Sequence, residues 1–98
     1  MITLTRTVSV RAMMLEQAYQ TSLPMWVRIG CLAWACANNH GHAPFSRGEL
    51  RSWFDLRPAT LSQSLTTARR LKWIDPTSTA RCLVLPGCGL NPCEETHR

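Results

Sequence analysis

The spacing of apolar positions changes several times along the chain, and each change predicts an element. In residues 2–10, Ile2, Leu4, Val8 and Val10 fall on one face, interrupted by Arg6, with Thr3, Thr5, Thr7 and Ser9 on the other. A period of two in a segment rich in β-branched residues predicts a strand. Residues 11–20 switch to helix formers, with Met14, Leu15, Ala18 and Tyr19 as a helical stripe. Ser22 as N-cap and Pro24 in the first turn open a helix predicted over residues 24–38. Apolar residues surround it on nearly every side and Arg28 is its one charge. Such a helix belongs at the centre of a core or under a partner. The run Asn38-Asn39-His40-Gly41 ends it, with Gly41 as the left-handed residue.

Further along, Ser46 and Glu49 form an S-x-x-E capping box that predicts a helix starting at Ser46. Leu50, Trp53 and Phe54 face inward on it, Arg47 and Arg51 outward, and it stops near Asp55. Arg57-Pro58 opens the next helix, with proline in its first turn, and that helix runs to about Leu71. Leu61, Leu65 and Ala68 define its buried stripe; Trp73 and Ile74 lie beyond it. After a turn at Asp75-Pro76, residues 80–85 alternate as a short strand, with Arg81, Leu83 and Leu85 on one face and Cys82 and Val84 on the other. The expected fold class is therefore mainly α with a small β component: one domain over residues 1–86, followed by a cysteine-containing tail over 87–98.

Composition narrows the function classes. The chain has 98 residues, 45% of them hydrophobic, and a formal net charge of +5. A small basic domain favours an anionic partner, nucleic acid first and acidic lipid second. The longest apolar run, Ile29 to Ala37, is far too short to span a bilayer, and the N-terminus lacks the apolar stretch of a signal peptide. Five cysteines in a chain read as non-secreted imply a reducing, cytoplasmic setting, and no membrane partner is expected. No cysteine has a local His/Asp arrangement for nucleophilic catalysis, so an enzyme is not expected.

The charge is not spread evenly. Between residues 47 and 81 lie seven Lys/Arg and three acids, a local excess of four that accounts for most of the total. On residues 58–72 wound at about 100° per residue, Ala59, Gln63, Thr66 and Arg70 fall opposite the Leu61–Leu65–Ala68 stripe. Ser62, Thr67 and Arg69 flank them, and Thr60 lies in the first turn. Short polar side chains near a helix N-terminus let the backbone approach base edges, and Gln63 has the paired donor and acceptor that match adenine. Arg69, Arg70 and Lys72, toward the C-terminal end, suit phosphates, as do Arg47, Arg51, Arg57 and Arg81 on the neighbouring segments. The rival assignments for this face are a merely solvated surface or a protein-docking surface.

Helix, three-residue turn, helix, short β-wing is also an order met in a known family. Residues 46–85 resemble the winged helix-turn-helix of bacterial transcriptional regulators, through SRGELRSWF, RPATLSQSLTTARRLKWID and a hairpin up to RCLVLP. The chain's brevity is similar to that of small regulators of actinobacteria and their phages or plasmids. The resemblance implies that the helix after the turn lies in the major groove of double-stranded DNA, while the wing touches the flanking backbone. The sequence departs from the family pattern at Lys72, where members often carry glycine, and in the inter-helix turn, which has no glycine. DNA-reading helices of this kind work in two-fold pairs, so a homodimer through residues 1–40 is expected, with strand 2–10 pairing to its symmetry mate or to the wing. The expected function is occupancy of specific DNA sites as a transcriptional regulator. The alternatives are a phage or plasmid factor that binds host transcription machinery, and an excisionase or replication accessory factor.

Cys82, Cys88, Cys93 and His97 are spaced C-x5-C-x4-C-x3-H, a ligand set that would suit structural zinc. The alternative is a buried Cys82 beside ordinary loop thiols. Cys31 and Cys36, about 140° apart on one helix, are expected in the core. His40 and His42 are expected to cap the preceding helix or face solvent.

Overall fold

The computed structural model of the protein describes residues 2–91, with side chains described from residue 10 onward. Four helices and two short strands follow in the order α1 (Ile2–Tyr19), α2 (Met25–Cys36), β1 (His42–Pro44), α3 (Glu49–Phe54), α4 (Pro58–Arg70) and β2 (Cys82–Val84). The protein is mainly helical with one small antiparallel sheet.

The N-terminal segment corrects the sequence-based expectation. Residues 2–10 are not a strand but the first half of α1. The β-branched residues there cost a few tenths of a kcal/mol each in a helix, whereas extending a helix already formed at residues 11–19 needs no new nucleus. The alternating pattern has no strand to pair with: the sheet of the described residues is β1 with β2 alone. The stripe that binds α1 to the protein is Met14, half-buried, and Ala18, fully buried, four residues apart.

Helix α2 takes the central of its two expected places. Ile29, Leu32 and Ala33 are fully buried, and the helix packs against α1, α4 and β1. Its N-cap is Pro24 rather than Ser22; the Pro24 carbonyl accepts from Val27 N–H and Arg28 N–H at 3.0 and 3.1 Å. Two arginines tie α1 and α2 reciprocally. Arg11 on α1 donates to the carbonyls of Ala35 and Ala37 at the end of α2, both at 3.1 Å. Arg28 on α2 donates to the Ala18 carbonyl at the end of α1 at 2.8 Å, and its guanidinium lies 5.1 Å from the centre of the Phe54 ring. Each cation satisfies carbonyls that a helix C-terminus leaves unpaired.

Beyond α2, the Asn38 side chain organises a tight reversal, accepting from His40 N–H at 2.9 Å and His42 N–H at 3.1 Å. Gly41 adopts φ +77 there, as its place in the sequence required. This turn delivers β1 beside β2 in the register His42↔Val84, Ala43↔Leu83 and Pro44↔Cys82. The strand expected over 80–85 thus shrinks to Cys82–Val84, all three buried, and its ladder partner is β1 rather than a hairpin mate. On the other side, residues 79–82 close a tight turn through Thr79 and Cys82, and Asp75 N–H donates to the Val84 carbonyl at 2.8 Å.

The helix pair 49–54 and 58–70 matches expectation closely. Leu50 and Phe54 are buried, and Leu61, Leu65 and Ala68 hold α4 to the core. Helix α3 starts three residues later than Ser46, after Gly48 at φ +80. Half the capping box forms: the Glu49 carboxylate accepts from Ser46 N–H at 2.8 Å, but the Ser46 hydroxyl turns to that carboxylate as well, at 3.0 Å.

The glycine-free inter-helix turn and Lys72 have a backbone meaning. Asp55, in the inter-helix turn, has φ +52, and Lys72, after α4, has φ +65; among the described residues these are the non-glycine residues with positive φ. Lys72 sits at the left-handed position of a helix-ending motif, with Trp73 N–H donating to Ala68 O at 2.9 Å and Lys72 N–H to Arg69 O at 3.2 Å. A residue with a β-carbon loses about 1–2 kcal/mol in that conformation. Lys72→Gly is therefore expected to raise stability by about 1 kcal/mol, because glycine's freer unfolded chain offsets part of the relief. Thermal unfolding checks this; a lower midpoint would contradict it.

Candidate nucleic-acid interface

Helix α4 is amphipathic in the sense its sequence dictates: the Leu61–Leu65–Ala68 stripe faces the core, and the opposite side faces solvent. Ala59, Thr60, Ser62, Gln63, Thr66 and Arg70 are exposed and Thr67 is half-buried. Ser62, Gln63, Thr66, Thr67 and Arg70 line a shallow depression along the helix. No acidic residue lies on α4.

Beside this face runs a larger groove of about 750 Å³. One wall is the start of α3, with Arg47 and Arg51; the floor and second wall are α4, with Pro58, Ser62 and Arg69; Thr79 and Ala80 close the far end. Ser62 borders both surfaces, so the groove and the outer face of α4 form one continuous patch. Arg57 caps the start of α4, and Lys72 follows its end; both are exposed. Of the sequence-predicted residues, Arg47, Arg51, Ser62, Gln63, Thr66, Thr67, Arg69 and Arg70 thus line these two adjoining surfaces, while Arg57, Ala59, Thr60 and Lys72 are exposed on or beside α4.

Two cations have structural duties as well. The Arg69 guanidinium donates to the Ser78 carbonyl at 2.8 Å and to the Thr66 hydroxyl at 3.3 Å. It fixes the 75–79 segment against α4 and orients Thr66. Arg81 is exposed, but its Nε donates to the Phe45 carbonyl at 3.3 Å, at the end of the sheet.

The 75–79 segment is itself held by side chains that sequence periodicity did not single out. Ser78 is buried; its hydroxyl accepts from Val84 N–H at 2.9 Å and donates back to the Val84 carbonyl at 3.3 Å. The Asp75 carboxylate accepts from Thr77 N–H at 3.1 Å, the Thr77 hydroxyl at 2.8 Å and Gly87 N–H at 3.2 Å. Burial works to raise the Asp75 pKa, but those hydrogen bonds, together with the nearby His42, outweigh it and hold the carboxyl below its ordinary 3.8. A depressed carboxyl contributes stability that is present above its unfolded-state value and is lost as pH falls through its lowered folded value. Asp75→Asn is thus expected to be less stable than the parent at neutral pH and to converge with it in strong acid, as followed by urea unfolding at both pH values. A constant gap between the two curves would contradict this.

The remaining candidates lie apart from this patch. Cys82 is fully buried beside His42, and Cys88 is half-buried; Cys93 and His97 lie outside the described residues. His42 is not a capping or solvent-facing group: it is 2% exposed, in β1. A three-residue strand carries no readable period, so nothing in the sequence marked it. Cys31 is buried as expected, while Cys36 is exposed. Burial raises the pKa of both thiols, and for Cys36 the Glu49 charge adds to the rise against the lowering effect of Arg11, so neither is an activated nucleophile. Among the described residues, no group of three or more His, Cys, Asp or Glu is placed to hold a metal ion, and no helix is long and apolar enough to cross a membrane.

Compared with protein-family models, curated proteins and solved structures, the chain matches none.

Proposed function

We propose that this protein binds double-stranded DNA sequence-specifically, as a cytoplasmic transcriptional regulator with a winged helix-turn-helix. The observation that carries the proposal is the exposed, acid-free face of α4 running into an arginine-lined groove. Further support comes from the order of elements: a core helix, a short strand, two helices across a three-residue turn, and a second strand paired with the first. In such a frame α4 enters the major groove, Gln63 and its short polar neighbours meet base edges, and Arg47, Arg51, Arg57, Arg70, Lys72 and Arg81 meet phosphates. The turn at Ala80–Arg81 is a wing reduced to its tip. Regulation then follows from occupancy.

Selection of bound sites from random duplexes tests the specific part of the proposal. One recurrent motif is expected, and Gln63→Ala should relax one position in it, since a paired amide contact is worth about 1–3 kcal/mol of discrimination. Recovery of no motif would remove sequence-specific regulation and leave non-specific binding.

Pairing of two copies through residues 1–40 is part of the same proposal. Val10 and Trp34 border one hollow between α1 and α2, and they are 45% and 50% exposed, large apolar groups left open to water. Sedimentation of the full chain with and without duplex distinguishes one copy per site from two.

A further inference from the structure

On the outer side of α4 the Thr66 hydroxyl is already committed. It donates to the Ser62 carbonyl, one turn back, at 3.0 Å and accepts from the Arg69 guanidinium at 3.3 Å. Arg69 is anchored in turn on the Ser78 carbonyl at 2.8 Å. A hydroxyl has one proton to give, and the Ser62 carbonyl takes it. Thr66 therefore has no donor left for a base edge, although the residue is exposed. The two surfaces beside it sort its two branches. Arg69, which holds the hydroxyl, borders the arginine groove, whereas Thr66 itself borders the shallow depression with Ser62, Gln63, Thr67 and Arg70. With the oxygen turned back to the helix and to Arg69, the γ-methyl is the branch left to face the depression.

Given the DNA binding proposed above, on which this reading depends, we infer that Thr66 is a specificity-determining residue that reads the C5-methyl group of thymine through its own methyl. That C5-methyl is the apolar group among the base edges of the major groove, and a threonine methyl is one of its matching partners. A hydroxyl aimed at it would lose its water without gaining a hydrogen bond, a cost of about 1–3 kcal/mol for an unsatisfied polar group. The Ser62 and Arg69 bonds remove that cost in advance, because the hydroxyl keeps both partners when the interface closes. Arg69 is thus a positioning residue for Thr66 as well as a tie to the 75–79 segment.

The location of the thymine follows from the helix. Gln63 lies three residues before Thr66 on the same exposed face. Residues so spaced have β-carbons about 5–6 Å apart, while base pairs rise by about 3.4 Å, so the thymine should lie about one or two base pairs from the adenine that Gln63 meets. The face would then read neighbouring adenine and thymine with two side chains of different chemistry, a paired amide and a methyl.

The duplex recovered by selection from random sequence, remade with deoxyuridine in place of each thymidine in turn, tests this. Uracil keeps every hydrogen-bonding group of thymine and lacks only the methyl. At one position, about one or two base pairs from the position relaxed by Gln63→Ala, the wild-type chain should bind about fourfold more weakly, the worth of one buried methyl. Thr66→Ser keeps the hydroxyl and its two bonds, so it should bind the thymine and uracil duplexes equally. Thr66→Val keeps a methyl in the same place, since valine in a helix holds one dominant rotamer, and should retain the fourfold preference. Wild-type indifference to uracil at every position, a preference that survives in Thr66→Ser, or one lost in Thr66→Val would overturn the methyl contact while leaving the recovered motif, and with it the DNA-binding proposal, in place. Recovery of no motif would overturn both.

Discussion

Replacing Arg47, Arg51 and Arg70 together by alanine is expected to weaken duplex binding about 100-fold near physiological salt. Each phosphate neutralised by a cation contributes about 0.9 to the slope of log affinity against log salt, so three lost contacts flatten that slope by about 2.7. Between a 1 M reference and about 0.15 M salt, that difference amounts to about 10² in affinity. All three side chains are exposed, two on the groove wall and one on the outer face of α4, so the fold should be barely affected. The loss should be equal for every duplex sequence, because phosphate contacts carry no sequence information. Arg69→Ala is the informative contrast. It removes a cation from the same groove and also frees the 75–79 segment from α4, so it should lower both binding and the thermal midpoint. A triple variant that binds as tightly as the parent would remove the patch from the mechanism.

Gly41→Ala is expected to be strongly destabilising. The left-handed φ of +77 costs a β-carbon-bearing residue about 1–2 kcal/mol. The new carbon would also run into the Cys88 sulfur and lie 2.8 Å from its β-carbon. Cys88 must then move, and its carbonyl is the acceptor for His42 Nε2. Strain and displacement together should cost about 2–4 kcal/mol, roughly 10–20 °C in the thermal midpoint of a domain this size. Gly48→Ala separates the two causes. Its φ is nearly the same, +80, but no atom lies within 4 Å of the added carbon, so only the backbone term of about 1–2 kcal/mol remains. Equal losses at the two glycines would mean that the Cys88 contact contributes nothing.

Helices α2, α3 and α4 were legible because each carries a long apolar stripe and local stop signals: Gly41, Asp55, and the Arg57-Pro58 start. The buried face of α4 could be read residue by residue for the same reason. Strand 2–10 failed because alternation states what a segment would do beside a partner strand, while the partner is decided elsewhere in the chain. Cooperative extension of α1 took its place. The sheet was only half legible. β1 is three residues long and contains proline, too short for a period, so neither its pairing with β2 nor the burial of His42 had a sequence signal. Arg69 read as an outward cation because a helical wheel gives direction but not reach; its long side chain bends to Ser78, nine residues on. The glycine-less positions Asp55 and Lys72, noticed first as departures from a family pattern, became the two strained joints on either side of α4.

The central claim is that the α4 face and its arginine groove bind duplex DNA. Fluorescence anisotropy of a labelled random-sequence duplex, titrated with the full chain at about 50 and about 200 mM salt, tests it most directly. If the six cations proposed to meet phosphates do so, binding should be clear at the lower salt and weaker by about 10³-fold at the higher. Absence of binding at the lower salt, or an affinity indifferent to salt, would contradict the account.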